Sequence, residues 1–225
     1  SYYTSQKVTK GLSAKMPLIV YNGAFIIDNA TGKRMLSNYL DSAQALLEDL
    51  LQHDVYPIVY SYIHGVEKFS FLPDQCSTGM QQFVASRTND ARANPMDDIS
   101  QLCAGKVFYF TCIDAEDKLK PLYEKYKNKY HCVFSKDIYS GEQWLEIMPL
   151  QATKAYAVQK LKKHLDCDKL VVFGDGKNDL DMFEAADECY AVENAVRELK
   201  EIATAVIPSN DADGVAKWLA ENYRQ

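Results

Sequence analysis

The sequence has no apolar run approaching the roughly 20 residues that a membrane helix needs. Its longest candidate, Met16 to Ile27, is interrupted by Asn22-Gly23 and reads as a strand and a turn. No secretory signal is expected, because the segment before Met16 is polar and no small-residue cleavage pattern follows the apolar stretch. Positive charge is in deficit: 25 Lys and Arg stand against 31 Asp and Glu, for a net charge of -6. Phosphate backbones and anionic membranes attract clustered Lys and Arg, so neither nucleic acid nor a membrane is an expected partner. The six cysteines include no C-x-x-C pair and no regular spacing, which argues against a disulfide framework or zinc site and for free thiols. His53, His64, His131 and His164 show no ligand spacing either. Repeats and low-complexity tracts are absent. These absences make the cytoplasm the expected setting; the expected state is a monomer or homodimer.

What remains is an ordinary globular composition, 47% hydrophobic and 25% charged, with enough chain in 225 residues for two compact domains. The first apolar segments, Pro17 to Tyr21 and Ala24 to Asp28, read as core strands, the second in a hairpin closed by Asn29-Ala30-Thr31-Gly32. Asp41 is placed to cap a helix whose apolar positions Ala43, Leu46, Leu47, Leu50 and Leu51 share one face. Residues 55 to 72 predict two strands with a turn at His64-Gly65, and a helix follows from Thr78 to Ser86. The polar stretch 87 to 98 reads as a loop. Strands at 106–113, 130–136 and 143–148 flank a helix at 116–128, and Pro149 stops the last of them. Beyond Pro149, helices and strands alternate (helix 153–165, strand 169–173, helix 178–186, strand 188–192, helix 195–202, strand 204–207, helix 213–222), which predicts a parallel sheet.

The segment Lys169 to Phe173 reads as a buried parallel strand, and ligands bind beyond the carboxyl ends of such strands. There the chain continues Gly174-Asp175-Gly176-Lys177-Asn178-Asp179. Glycines on both sides of Asp175 permit a sharp turn and close approach to a ligand, Asn178 is placed to cap the next helix, and Asp179 falls in its first turn. Such hard oxygen ligands suit Mg²⁺. A second anomaly is Lys154, which follows Thr153 at the start of a helix. A cation there opposes the helix dipole, and beside a helix N-terminus it is placed to bind phosphate. In the middle of the chain, Tyr60, Tyr62, Tyr109, Tyr139 and Trp144 are aromatic candidates for substrate contact, although strand aromatics are usually core.

The run Phe173 to Met182 resembles the fourth motif of the haloacid dehalogenase superfamily, in its Cof-type sugar-phosphatase branch. Val20 to Asp28 is similar to that branch's strand and Asn-Gly-Ala turn, and Glu146-Ile-Met-Pro with Thr153-Lys154 to its third motif. Tyr190 to Ala195 and Asn210 to Val215 are similar to its C-terminal signatures. The resemblance spans the whole chain and implies an α/β fold: a Rossmann-like parallel-sheet core at 1–36 and 149–225, incomplete at its N-terminus, with an inserted α+β cap domain at 37–148. It implies an Mg²⁺-dependent phosphatase of small phosphorylated substrates, with Lys154, Asp175 and Asp179 catalytic, Lys154 and Asn178 on the phosphoryl oxygens, and Asp175 and Asp179 at the metal.

Two departures accompany it. Leu150 to Ala155 lacks the glycines that usually flank the lysine, and the D-x-D-G-T nucleophile motif and the Ser or Thr motif after it are absent. Asp211-Ala-Asp-Gly214 is the only D-x-D-G, and it falls in a different signature. The expectation is therefore that the nucleophile lies upstream of Ser1 and that the 225 residues by themselves are inactive. A catalytically silent binding protein and a phosphomutase are the alternatives.

Overall fold

The computed structural model describes residues 1–11, 15–137 and 141–223, which fall into two compact units. The first comprises 1–36 and 152–225, and the second 37–151. Among the described residues, no helix is long and apolar enough to cross a membrane.

The first unit opens with helix α1 (Tyr2–Val8), capped by the Ser1 hydroxyl, which accepts from Thr4 N. Strands β1 (Leu18–Val20), β2 (Phe25–Ile27) and β3 (Arg34–Ser37) form an antiparallel β1–β2 hairpin extended by β3. The Asp28 carboxylate accepts from Thr31 N and Ala30 N, which shapes the β2–β3 turn and holds its pKa below the ordinary carboxylate value. The later part alternates as its periodicity predicts. Helix α5 (Lys154–His164) leads to β10 (Val171–Gly174), and α6 (Leu180–Glu184) to β11 (Glu188–Val192). Helix α7 (Arg197–Ile202) leads to β12 (Ala205–Ile207), and α8 (Gly214–Asn222) closes the unit. The three strands are parallel in the order β10-β11-β12, and Val172, Phe183, Ala191, Leu199 and Ile207 form their core.

The second unit is a six-stranded sheet in the order β6-β5-β4-β7-β9-β8. Its strands are β4 (Ile58–Ile63), β5 (Val66–Phe71), β6 (Ala93–Pro95), β7 (Lys106–Asp114), β8 (His131–Lys136) and β9 (Gln143–Met148). Helices α2 (Ala43–Gln52) and α4 (Glu116–Tyr126) cover one face, where Leu46, Leu47, Leu50, Leu119 and Leu122 pack on Val59, Phe110, Cys112, Leu145 and Ile147. The register of β4 against β7 shifts between Tyr60 and Ser61, so that Phe108 is the extra residue of a bulge. Phe108 and Tyr109 then both reach the aromatic face, with Tyr60, Tyr62 and Phe69. Helix α3 (Thr78–Ala85) lies on β7, and Gly79 permits it: a Cβ there would meet Ile113 Cγ2 at 2.4 Å.

Three local expectations are corrected. Ser42, not Asp41, occupies the N-cap position of α2, and Gln44 bonds Glu48 at 3.1 Å instead of closing a capping box. The polar stretch 87–98 is not wholly loop, because Ala93–Pro95 pairs parallel with β5 and Arg92 ties it down through Glu67 and Asp90. The helix expected over 178–186 is a 3-10 turn, Lys177–Asp179, followed by the shorter α6.

Candidate active site

Strand β10 runs into the turn carrying Asp175, Asn178 and Asp179. Gly174 leaves the strand where any Cβ would come within 2.7 Å of Phe183 and 2.9 Å of Asp179, so glycine lets the Asp179 side chain fold back under the strand end. Asp179 is only 4% exposed. One of its oxygens, Oδ2, accepts from Asp175 N and Gly176 N at 3.1 Å each, while Oδ1 takes the Lys154 ammonium at 2.5 Å. The anomalous lysine and the acidic turn, 25 residues apart in sequence, are thus joined by a charge-assisted bond.

Lys154 is the first residue of α5, and the Thr153 hydroxyl caps that helix by accepting from Tyr156 N at 3.0 Å. The Tyr21–Gly23 turn abuts the helix start, with Tyr21 and Asn22 in left-handed conformations at φ 54° and 50°. Gly23 has φ +100°, and a Cβ on it would lie 2.1 Å from the Thr153 carbonyl oxygen. Asn178 donates from Nδ2 to Asn22 Oδ1 at 3.5 Å, a long contact. The Asp175 backbone carbonyl accepts from Val196 N at 2.9 Å, and its side chain lies at the exposed rim. A cavity of about 330 Å³ beside this cluster is lined by Val20, Asn22, Gly23, Lys154 and Met182.

The structure therefore brings together Lys154, Asn178 and Asp179, with Asp175 on the same turn. Asn178 does not cap a helix as expected: the backbone N–H groups at the turn go to Asp179, which frees the Asn178 amide for Asn22. Asp179 is also a poor candidate for direct metal contact, since its oxygens are already engaged by an ammonium and two N–H donors. Asp175 remains as one hard oxygen donor. Among the described residues, no group of three or more His, Cys, Asp or Glu converges as a metal cage, and all six cysteines are free. Asn22 is the site residue that sequence reasoning missed, and the available signal was the Asn-Gly pair in a turn between two buried strands. Of the aromatic candidates, Tyr60, Tyr62 and Tyr109 are buried, Trp144 lines a separate cavity in the second unit, and Tyr139 lies outside the described residues.

Comparison with known proteins identifies the family and the fold. A family model described as haloacid dehalogenase-like hydrolase matches residues 1–219. The 5-amino-6-(5-phospho-D-ribitylamino)uracil phosphatase YwtE of Bacillus subtilis is 29% identical over 226 residues, covering 91% of this chain and 77% of that protein. YitU, of the same name and organism, is 24% identical over 99% of this chain and 82% of its own length. In fold, a haloacid dehalogenase-like hydrolase from Bacteroides thetaiotaomicron superposes with a TM-score of 0.78 at 18% identity, covering 99% of this chain and 83% of that one.

Proposed function

The chain belongs to the haloacid dehalogenase-like hydrolase family, and from that premise we propose that it is the phosphate-handling part of an Mg²⁺-dependent phosphatase of small phosphomonoesters, sugar phosphates first. The observation that carries this reading is the Lys154–Asp179 pair at the carboxyl end of β10. Phosphoryl transfer spreads negative charge over the equatorial oxygens, and catalysis consists largely of placing positive groups against them. Lys154 meets that need. Its side chain is 27% exposed, so it can face a phosphoryl oxygen while Asp179 holds its position. Asn178 is assigned to orienting the phosphoryl group, and Asp179 to bracing Lys154 and the turn.

Asp175 suits Mg²⁺, which binds through one or two carboxylates plus substrate phosphate and retains several waters. When bound there, the cation would offset charge on the phosphoryl oxygens. No D-x-D-G-T motif lies within these residues, so the nucleophile is assigned to an aspartate outside them. Its carboxylate would take the phosphoryl group as the substrate alcohol leaves, and water would then hydrolyse the acyl phosphate. The inserted residues 37–148 are assigned to substrate selection. The names of YwtE and YitU add a phosphorylated ribitylaminopyrimidine to the substrates to be tried.

The same missing motif favours one second reading, a binding protein without turnover. Assaying p-nitrophenyl phosphate with and without Mg²⁺, on these 225 residues and on the natural gene product, separates the two. We expect no turnover from the 225 residues and Mg²⁺-dependent turnover from the gene product, lost on Lys154→Met. Turnover by the 225 residues alone would refute the external nucleophile, and an inert gene product would establish the binding reading.

A further inference from the structure

The second unit contains a cavity of about 460 Å³ that the phosphatase reading does not use. Its wall includes Gln82, Phe83, Ser86, Arg87, Asp137 and Trp144. Phe83 joins the two informative groups. The Arg87 guanidinium carbon stands 3.5 Å from the Phe83 ring centroid, and the Trp144 ring meets Phe83 edge-on at 5.6 Å and 63°. Arg87 donates through Nη1 to Phe83 O at 3.0 Å and to Ser86 Oγ at 2.8 Å. Among the described residues its Nε and Nη2 have no protein acceptor, and it belongs to no ion pair.

A guanidinium with its fork open and aromatic rings on one cavity wall share a single complement. We propose that this cavity binds a small monocarboxylate with a flat apolar body. The carboxylate takes the open edge of Arg87 in the two-pronged geometry that guanidinium favours, and the body lies along Phe83 and Trp144. The site does not depend on the phosphatase reading.

The test is a ¹H–¹⁵N titration of the 225-residue protein with benzoate, following the indole N–H signals of its two tryptophans, with Trp218→Phe to assign them. The expected result is a saturable shift of the Trp144 signal alone, at least about tenfold weaker binding in Arg87→Met, and no saturable shift with benzylamine. Should Arg87→Met lose its native spectrum, Arg87→Lys, which keeps the charge but not the fork, is read instead and is expected to weaken binding. The proposal is overturned if benzoate produces no saturable shift, if the Arg87 variant binds as tightly, or if benzylamine or inorganic phosphate binds as well as benzoate.

Discussion

Two carboxylates, one in each unit, show how differently the fold treats the same group. Asp179 is buried but surrounded by donors, with an ammonium on one oxygen and two backbone N–H groups on the other. Glu146, on β9, sits between Thr111 and Val133 in the ladder, and among the described residues its carboxylate has one hydrogen bond, from the Tyr109 hydroxyl at 2.6 Å. Burial raises its pKa above 4.5, and the Tyr109 bond opposes that only in part. The first carboxylate is the centre of a polar cluster, whereas the second is tolerated within an aromatic layer. A buried charge is structural where its partners are supplied and a cost where they are few.

That contrast can be broken from either side. The largest effect is expected for Asp179→Ala, which leaves Lys154 and two backbone N–H groups without their acceptor and should cost about 3 kcal/mol in urea unfolding. Gly23→Ala attacks the same cluster through the backbone, forcing a Cβ against Thr153 O at positive φ, and should cost about 2 kcal/mol in the same assay. In the other unit, Tyr109→Phe removes the single donor to Glu146 and should cost about 1 kcal/mol, with a further rise in the Glu146 pKa. Glu146→Gln should have the smallest effect and the most informative sign. Because the folded protein holds the Glu146 proton more tightly than the unfolded chain, this group makes stability fall as pH rises from 4.5 through the raised folded value. Urea midpoints measured across that window should decline less steeply in the variant. An unchanged slope would show that Glu146 does not carry this pH dependence.

The sequence displays these two regions unequally. The parallel core was legible because β10, β11 and β12 alternate with helices, and α2 because Leu46, Leu47 and Leu50 recur on one face. Strand β6 was not, since Ala93–Pro95 is held by backbone pairing to β5 and by the Arg92 ion pairs, neither of which leaves a hydrophobic period. At the candidate site, the acidic turn was visible as a local string and Lys154 as an electrostatic oddity. That Lys154 answers Asp179 was not visible, because an ion pair across 25 residues has no local signature. Asn178 was misplaced as a cap because Asx residues at turns usually serve that purpose, and here a buried aspartate had already taken the donors.

The polar cluster also implies an order of assembly. Lys154 and Asp179 are separated by 25 residues, whereas Asn22 and Asn178 are separated by 156, with the whole insert between them. Closing the longer loop costs about 1.6 kcal/mol more in chain entropy. The ammonium–carboxylate half of the site is therefore a product of low contact order, able to form while the rest of the chain is still searching, and the Asn22 half must wait for the insert to bring its ends together. Mutations that slow the folding of residues 37–151 should delay the second half and leave the first untouched.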